Sequence, residues 1–296
     1  MTGAALDQYT RAAQRAANQV IAAYSTSFGA ATRLLGPRHR QHIRNIYALV
    51  RVADELVDGV TAEAGLTPEQ QSRSLEGLVE QVHEAILTGY SSDLVVHAFG
   101  HTARAAGIGA DLVDPFFDSM RADLVAAQRP GTTTFSTADH DTYVYGSAEV
   151  VGLMCLKVYL REEKRTPDQL ARLEHGARQL GAAFQEVNFL RDLADDTDRL
   201  ERAYLSEQPR LTSAQRDACL ARIREQLADA EAALPLLPAD ARAGVRSAAA
   251  LFSRLADQLA VTEVDELYRR RVRVPDPVKL GLVVRSFATT WRERGR

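Results

Sequence analysis

Two pairs of aspartates have the residue type and the spacing of a magnesium-dependent diphosphate site. Asp54 and Asp58 lie four residues apart, and Asp192 and Asp196 repeat this spacing further along the chain. On a helix, residues four apart project from one face, so each pair would present two carboxylates together. Carboxylate oxygens without neighbouring His or Cys suit Mg²⁺, which is typically shared between one or two carboxylates and substrate phosphate oxygens. Two such faces that meet across a cavity are expected to hold several Mg²⁺ ions and a diphosphate.

The surroundings of the first pair favour a buried site over a solvated acidic face, which is the common alternative for such pairs. Apolar residues occur on more than one side of the segment 43–57, which indicates a helix inside a bundle. Arg51 lies three residues before Asp54, on roughly the same face as both aspartates. Charged groups directed into a protein are costly unless they bind ions or each other, so this group predicts a polar site.

The second pair belongs to a longer polar stripe. Gln185, Asn188, Asp192 and Asp196 are separated by three, four and four residues, which places them on one helix face over about three turns. Apolar residues occupy the rest of those turns, so the stripe is expected to line a wet cavity. The acidic residues that follow Asp192 leave an exposed helix end as the alternative.

Three further groups each have a functional and a structural interpretation. Ser25 and Ser27 lie before the first acidic helix, where serines donate to phosphate or cap helices. Tyr143 lies on an apolar helix, where tyrosines pack in the core or face a cation. The basic run 268–273 would clamp a diphosphate or form an ordinary charged surface.

Helical periodicity dominates the chain, and no segment shows a sustained strand alternation. Prolines and glycines mark the ends of the predicted helices, which include residues 37–59, two helices within 90–128, an apolar helix over 137–161, one from Pro167 to about Leu200, and two or three within 213–293. The connections are short and no linker or repeat interrupts them. The sequence therefore predicts one all-α domain over residues 1–296.

Composition restricts the function classes. The net charge of −3 gives no reason to expect nucleic-acid binding. The two cysteines match no metal or redox spacing, which makes a reducing compartment the default. The N-terminus does not have the pattern of a signal peptide, and no run approaches 18 apolar residues. We therefore expect a cytoplasmic protein.

Five stretches, in order, resemble the squalene/phytoene synthases, which are head-to-head prenyltransferases of the isoprenoid-synthase fold. They are YSTSFGAATRLLGP, IRNIYALVRVADELVD, YVYGSAEVVGLMCLKVY, FQEVNFLRDLADD and RAYLS, and looser similarity continues through RRRVRVPDPVKL. The resemblance implies a single helical bundle around a central apolar cavity.

The resemblance also implies roles for individual residues. It gives Mg²⁺ ligands (Asp54, Asp58, Asp192 and Asp196), diphosphate-binding residues (Ser25, Ser27, Arg51, Gln185, Asn188, Arg271 and Lys279), and residues around the reacting groups (Arg51, Tyr47, Tyr143 and Tyr204). It implies two or three Mg²⁺ ions, with Mn²⁺ as a substitute. Glu149 departs from the small residue that the family often has there, and it would alter product choice if it faced the cavity.

The implied reaction has two ionisations. Diphosphate leaves one allylic prenyl diphosphate, the double bond of a second attacks the cation, and the resulting cyclopropylcarbinyl diphosphate rearranges to a 1-1′ linked chain. The stretches YSTSF and SAEVVGLMCL are most similar to bacterial phytoene synthases, so two geranylgeranyl diphosphates are expected to give phytoene.

Alternatives remain within and beyond this chemistry. A C30 enzyme would use farnesyl diphosphate to make presqualene diphosphate, dehydrosqualene or squalene, and NADPH use is left open. Some relatives of the fold are non-catalytic assembly factors, but these typically lose the metal-binding aspartates. We expect prenyl diphosphates as partners and a peripheral membrane contact for product release, while the oligomeric state stays open.

Overall fold

Helices make up almost all of the computed structural model, which describes residues 3–127, 133–134, 137–193, 202–203 and 210–294. Over these ranges the α-helices are α1 (Ala4–Tyr24), α2 (Thr26–Arg33), α3 (Pro37–Glu55), α4 (Thr61–Glu63), α5 (Pro68–Thr88), α6 (Leu94–Ala106), α7 (Ala110–Ala127), α8 (Thr137–Val144), α9 (Val150–Leu160), α10 (Pro167–Arg191), α11 (Ser213–Ala233), α12 (Ala239–Ala260), α13 (Val264–Leu267) and α14 (Asp276–Arg294). The two-residue strands β1 (Thr133–Thr134) and β2 (Arg202–Ala203) pair in parallel. The predicted all-α class is confirmed.

Local capping signals set where several helices begin. Thr67, Thr166 and Thr212 each accept a hydrogen bond from the backbone N–H three residues on, and the glutamine there accepts one from the threonine N–H in return. This reciprocal cap satisfies two backbone donors that a helix otherwise leaves unpaired. Proline follows Thr67 and Thr166 at the first helical position, where its missing N–H costs nothing.

Two helices change pitch where the predicted site begins. The segment that carries Asp58 forms a widened (π) turn, Leu56–Val60, directly after α3. Gly59 has φ 116° there, a conformation that favours glycine, so the chain turns at the predicted helix end. A second widened turn, Tyr145–Glu149, separates α8 from α9 within the predicted apolar helix. Such turns rotate the side chains that follow, and they are frequent at functional sites.

Helix α10 ends earlier than the polar stripe predicted. Its last residue is Arg191 rather than a residue near Leu200, and Asp192 follows as the cap with φ −102° and ψ 12°. The Asp192 N–H still donates to the Asn188 carbonyl, so the predicted polar stripe keeps a helical hydrogen bond up to Asp192. Asp196 lies outside the described residues.

The helices pack around two apolar cores. One lies among α3, α5, α6, α7 and α9, and the other among α10, α11 and α12. Glycines allow the closest approaches: a Cβ on Gly152 would lie 2.4 Å from the Ala177 carbonyl oxygen, and one on Gly146 would lie 2.4 Å from the Pro115 carbonyl oxygen. In the described ranges, none of the helices is both long and apolar enough to span a membrane.

Candidate active site

One cavity of about 1160 Å³ brings most of the predicted site residues together. It is lined by Ser25, Tyr47, Arg51, Asp54, Asp58, Tyr143, Gln185, Asn188, Asp192, Arg271 and Lys279. Ser27 lies in α2, but its side chain is not among those described. Asp196 and Tyr204 lie outside the described residues, so their positions stay predictions.

The cavity changes from apolar to polar along its walls. On α3 the lining begins with Ile43 and ends with Asp54, and on α10 it begins with Leu173 and ends at Asp192. The wall of α10 is apolar from Leu173 to Phe184, a rise of roughly 16 Å at 1.5 Å per residue. The polar side chains of both helices therefore lie toward their C-terminal ends. The cavity can hold a long apolar chain with a charged head.

Asp54 carries the most perturbed carboxyl of this cavity. Its pKa is raised to about 7, chiefly by burial and then by the charge of Asp58; Arg51 lowers the pKa, and Asp123 adds a smaller increase. Several carboxylates in a poorly solvated wall repel one another, so the group favours the binding of a cation. Asp54 and Asp58 can therefore serve as ligands for a hard, oxygen-preferring metal ion.

Three buried polar atoms on the cavity wall could bond to a polar ligand. Arg51 Nε, Ser147 Oγ and Asn188 Oδ1 have no hydrogen-bond partner among the described residues. Arg51 is otherwise engaged, since its guanidinium lies 4.6 Å from the ring centroid of Tyr24 and pairs with Glu55. An unsatisfied buried polar group costs about 1–3 kcal/mol, so a polar ligand that supplies partners would stabilise this wall.

Asp192 faces the same cavity but already has cationic partners. Its carboxylate lies 2.5 Å from Arg191 Nη2 and 2.7 Å from Arg271 Nε. The basic run 268–273 had two interpretations, a diphosphate clamp and a charged surface. The structure places one of its members, Arg271, on the cavity wall beside Asp192. In the part of the chain that is described, no group of three or more His, Cys, Asp or Glu residues is arranged to hold a metal ion.

The donor set nevertheless fits magnesium that arrives with a phosphate group. Asp54, Asp58 and Asp192 offer carboxylate oxygens, and Asn188 Oδ1 is an amide oxygen without a partner among the described residues. Mg²⁺ keeps several waters and completes its shell with substrate phosphates rather than with an all-protein cage. Shared binding of this kind requires oxygen donors on two separate helices, which is the arrangement found here.

Charged groups at the ends of α3 and α10 both act on the Tyr47 hydroxyl. Burial raises the pKa of this hydroxyl, while a hydrogen bond with Ser25 and the charge of Arg51 lower it. The charges of Asp54, on α3, and of Arg191, at the end of α10, also act on this hydroxyl. The predicted residues Ser25 and Tyr47 are therefore in contact with each other and close to both helix ends.

Sequence reasoning missed Asp123, which contacts a predicted residue. Tyr143 Oη donates to Asp123 Oδ2 at 2.8 Å, and Asp123 is 2% exposed on α7. A single aspartate forms neither a pair nor a stripe, so spacing alone could not select it. The available signal was its place on the mainly apolar helix face that holds Met120 and Leu124.

Glu149 faces away from the cavity and does not approach a substrate there. Its Oε2 accepts from Arg178 Nε at 2.6 Å, and it lines a separate cavity of about 490 Å³. Both orientations occur within the widened turn Tyr145–Glu149. Ser147 and Ala148 line the main cavity, whereas Glu149 lines the smaller one.

The sequence of this chain is similar to those of phytoene synthases. The squalene/phytoene synthase family model matches residues 21–277. The chain is 31% identical over 286 residues to 15-cis-phytoene synthase of Synechocystis sp., covering 88% of this chain and 80% of that protein. It is 26% identical over 286 residues to phytoene synthase of Rhodobacter capsulatus, covering 90% and 79%.

Solved structures agree on the fold. A dehydrosqualene synthase in complex with ligand superimposes with a TM-score of 0.73 at 20% identity, covering 96% of this chain and 98% of that one. Squalene synthase HpnC from Alicyclobacillus acidocaldarius superimposes with a TM-score of 0.68 at 13% identity, covering 89% and 97%. At these identities the likeness concerns the fold alone.

Proposed function

Because the chain belongs to the squalene/phytoene synthase family, we propose that it joins two geranylgeranyl diphosphates head to head and releases phytoene and two diphosphates. The family consists of prenyltransferases. The observation that carries the proposal for this chain is the cavity itself, which joins a long apolar wall to a polar end lined by Asp54, Asp58 and Asp192. A prenyl diphosphate has the matching division into an apolar tail and an anionic head.

Divalent cations are proposed to bind at the polar end of the cavity. Asp54 and Asp58 would hold them on one side, with Asp192, Asn188 and Gln185 on the other. Asp196 completes this proposed set from outside the described residues. When bound, Mg²⁺ neutralises the charge that develops on the departing diphosphate.

The chain's own cationic side chains are proposed to bind the diphosphates. Arg51 and Lys279 line the cavity from α3 and from the first turn of α14, and Arg271 approaches from the segment between α13 and α14. Arg51 Nε lacks a partner among the described residues and is thus available to an anionic ligand. Fixed positive charges at the leaving group stabilise the transition state without reorganisation.

Tyrosines and apolar walls are proposed to protect the cationic intermediates. The hydroxyl proton of Tyr143 is committed to Asp123, so the ring and the oxygen lone pairs remain to face the substrate. Phe184 and Phe252 stack with ring centroids 3.8 Å apart on the cavity wall. A wall of this kind excludes water, which would otherwise quench a carbocation.

A C30 product is the second candidate. Two solved structures with this fold are named as dehydrosqualene synthase and squalene synthase. The relatives with the higher identity are named as phytoene synthases, which favours the C40 product. The non-catalytic alternative is disfavoured because the three predicted metal-binding aspartates of the described ranges, Asp54, Asp58 and Asp192, all line the cavity.

Incubation of the purified protein with Mg²⁺ and either C20 or C15 prenyl diphosphate tests the proposal. We expect phytoene from the C20 substrate, identified by mass and by chromatography against a standard. Asp54→Ala protein, purified in parallel, controls for contaminating enzymes. A C30 product alone would overturn the phytoene assignment, and the absence of any hydrocarbon or cyclopropyl product would overturn the enzyme assignment.

A further inference from the structure

Helix α14 presents a stripe of three apolar side chains to solvent and two hydroxyl side chains to the protein. Val284, Phe287 and Trp291 are 60%, 56% and 69% exposed, and their spacing of three and four residues places them in one stripe. On the inner face of the helix Ser286 and Thr290 are each 3% exposed. A surface helix normally has the reverse arrangement, with its apolar stripe toward the core. We call these three apolar residues the outer face of α14. Burial in the core does not explain why they are apolar.

Polar bonds hold α14 in this orientation. Thr290 Oγ1 accepts from Arg246 Nη1 of α12 at 2.6 Å, and Arg246 Nη2 also pairs with Glu293 at 2.8 Å. Turning the apolar stripe inward would break these bonds and expose the two buried hydroxyl residues. The outer face is thus a fixed surface of the folded protein.

Exposed arginines lie before and beside this surface, although the net charge of the whole chain is −3. Residues 269–285 contain six basic residues and one acidic residue, of which Arg271, Arg273 and Lys279 line the main cavity. Arg285, on the flank of the stripe, is exposed. A helix that combines aromatic residues with flanking arginines has the composition of one that lies in the interface of an anionic membrane.

We propose that the outer face of α14 docks this protein on an anionic lipid bilayer. Phe287 and Trp291 would enter the boundary between headgroups and acyl chains, while Arg285 meets lipid phosphates. Lys279, on the same helix, lines the main cavity, and Trp291 lies about 18 Å further along the helix axis. The docking rests on α14 alone; only its purpose, the delivery of a hydrocarbon to lipid, rests on the proposed function.

Trp291 supplies a specific readout because it is the only tryptophan of the chain. We expect the protein to float with vesicles of equal parts phosphatidylcholine and phosphatidylglycerol, and to float less with phosphatidylcholine alone or at high salt. The tryptophan emission should shift to shorter wavelength when the anionic vesicles are added. Flotation without this shift would place the contact elsewhere and overturn the proposal, as would the absence of flotation.

Matched variants test whether vesicle binding depends on the outer face of α14 or on exposed apolar residues in general. Phe287→Ser combined with Trp291→Ser should lower vesicle affinity by roughly tenfold for each lost aromatic side chain. Leu87→Ser combined with Val261→Ser removes two residues that are 80% and 84% exposed elsewhere, and it should leave binding unchanged. Arg285→Glu should weaken binding to the anionic vesicles only. Equal effects of the two double variants would overturn the proposal.

Two more measurements distinguish docking from self-association and from catalysis. A concentration-dependent dimer whose tryptophan emission shifts without vesicles would assign the face to a second copy and overturn lipid docking. The Phe287→Ser/Trp291→Ser protein should still turn over detergent-dispersed prenyl diphosphate. Loss of flotation with retained turnover would leave the proposed function intact, and flotation without any turnover would leave the docking intact.

Discussion

Arg271 Nε lies 2.7 Å from Asp192 Oδ1 on the wall of the main cavity, and this contact joins the segment after α13 to the end of α10. The two residues are 79 positions apart. Both are partly exposed, and pairs of this kind contribute little to stability, about 0–1 kcal/mol. The contact therefore adds little to the stability of the fold. Its role is to keep the Arg271 guanidinium at the cavity, where it can pair with an incoming diphosphate.

Replacing Arg271 should impair substrate binding more than folding. We expect Arg271→Ala to raise the KM for prenyl diphosphate by about tenfold or more, since a charge-assisted hydrogen bond is lost. Its melting temperature should stay close to that of the wild type. Arg121→Ala, which removes an arginine paired with Glu76 outside the cavity, is the matched control. An unchanged KM in Arg271→Ala would contradict the proposed role.

Removing one carboxylate from either side of the cavity should abolish turnover. We expect Asp54→Asn and Asp192→Asn each to lower kcat by roughly 100- to 1000-fold, the range seen when a preorganised electrostatic contact is removed. Circular dichroism should show unchanged helical content. Asp118→Asn changes an exposed aspartate of α7 and should have no effect. Near-normal turnover in either cavity variant would remove that aspartate from the metal-binding set.

Chelation should reproduce these losses reversibly. Excess EDTA should stop product formation by the wild-type protein, and added Mg²⁺ should restore it. Mn²⁺ should also restore activity, because it accepts the same oxygen ligands. Full activity after exhaustive chelation would contradict the requirement for a divalent cation.

Asp123 and Tyr143 should act as a unit. If Asp123 works by holding the Tyr143 hydroxyl, Asp123→Asn, Tyr143→Phe and the double variant should reduce kcat to a similar extent, because coupled residues are not additive. Tyr145→Phe alters a neighbouring tyrosine that lines the separate smaller cavity, and it should retain activity. Fully additive losses would show that Asp123 has a role independent of Tyr143.

His42 should make a destabilising contribution in mildly acidic solution. Burial, followed by the charges of Arg161 and His101, lowers its pKa to about 4 from 6.5. Below pH 6.5 His42 binds a proton in the unfolded chain but not in the folded one, so its contribution to the free energy of unfolding falls by up to about 1.4 kcal/mol per pH unit until pH 4. The raised pKa of Asp54 acts in the opposite direction, so the effect of His42 is measured as the difference between variant and wild type.

Denaturant titrations between pH 7 and pH 4 measure this dependence. His42→Gln should reduce the slope, although it also removes the contact between His42 Nδ1 and Thr102 Oγ1 at 3.0 Å. His175→Gln, at an exposed position on α10, should keep the wild-type slope. Equal slopes in His42→Gln and wild type would contradict the assignment to His42.

Periodic features were predictable from the sequence because a helix converts spacing into position. Asp54, Gln185 and Asn188 follow helical spacing, and they line one cavity as expected. Features set by tertiary contact were not predictable. The pairing of Arg271 with Asp192 depends on two segments that meet only in the fold, and the lone Asp123 becomes notable only beside Tyr143.

Helix ends and turns account for the remaining differences. The polar stripe gave no sign that α10 stops at Arg191, because periodicity does not show where a cap falls. The turn Tyr145–Glu149 likewise interrupts a continuous apolar run, and it decides that Ser147 faces the cavity while Glu149 does not. Composition alone does not specify a one-residue change in helical register.

The close seam between α9 and α10 limits how this protein can be re-engineered. Gly152 lies against the Ala177 carbonyl oxygen, and Gly181 lies against the Ala148 carbonyl oxygen, where added Cβ atoms would come within 2.4 and 2.5 Å. Backbone meets backbone at these two glycines, so neither position offers a side chain that can be shortened to widen the cavity. Directed evolution toward bulkier substrates would have to change other side chains of the cavity wall, while substitutions at the two glycines would be lost as folding defects.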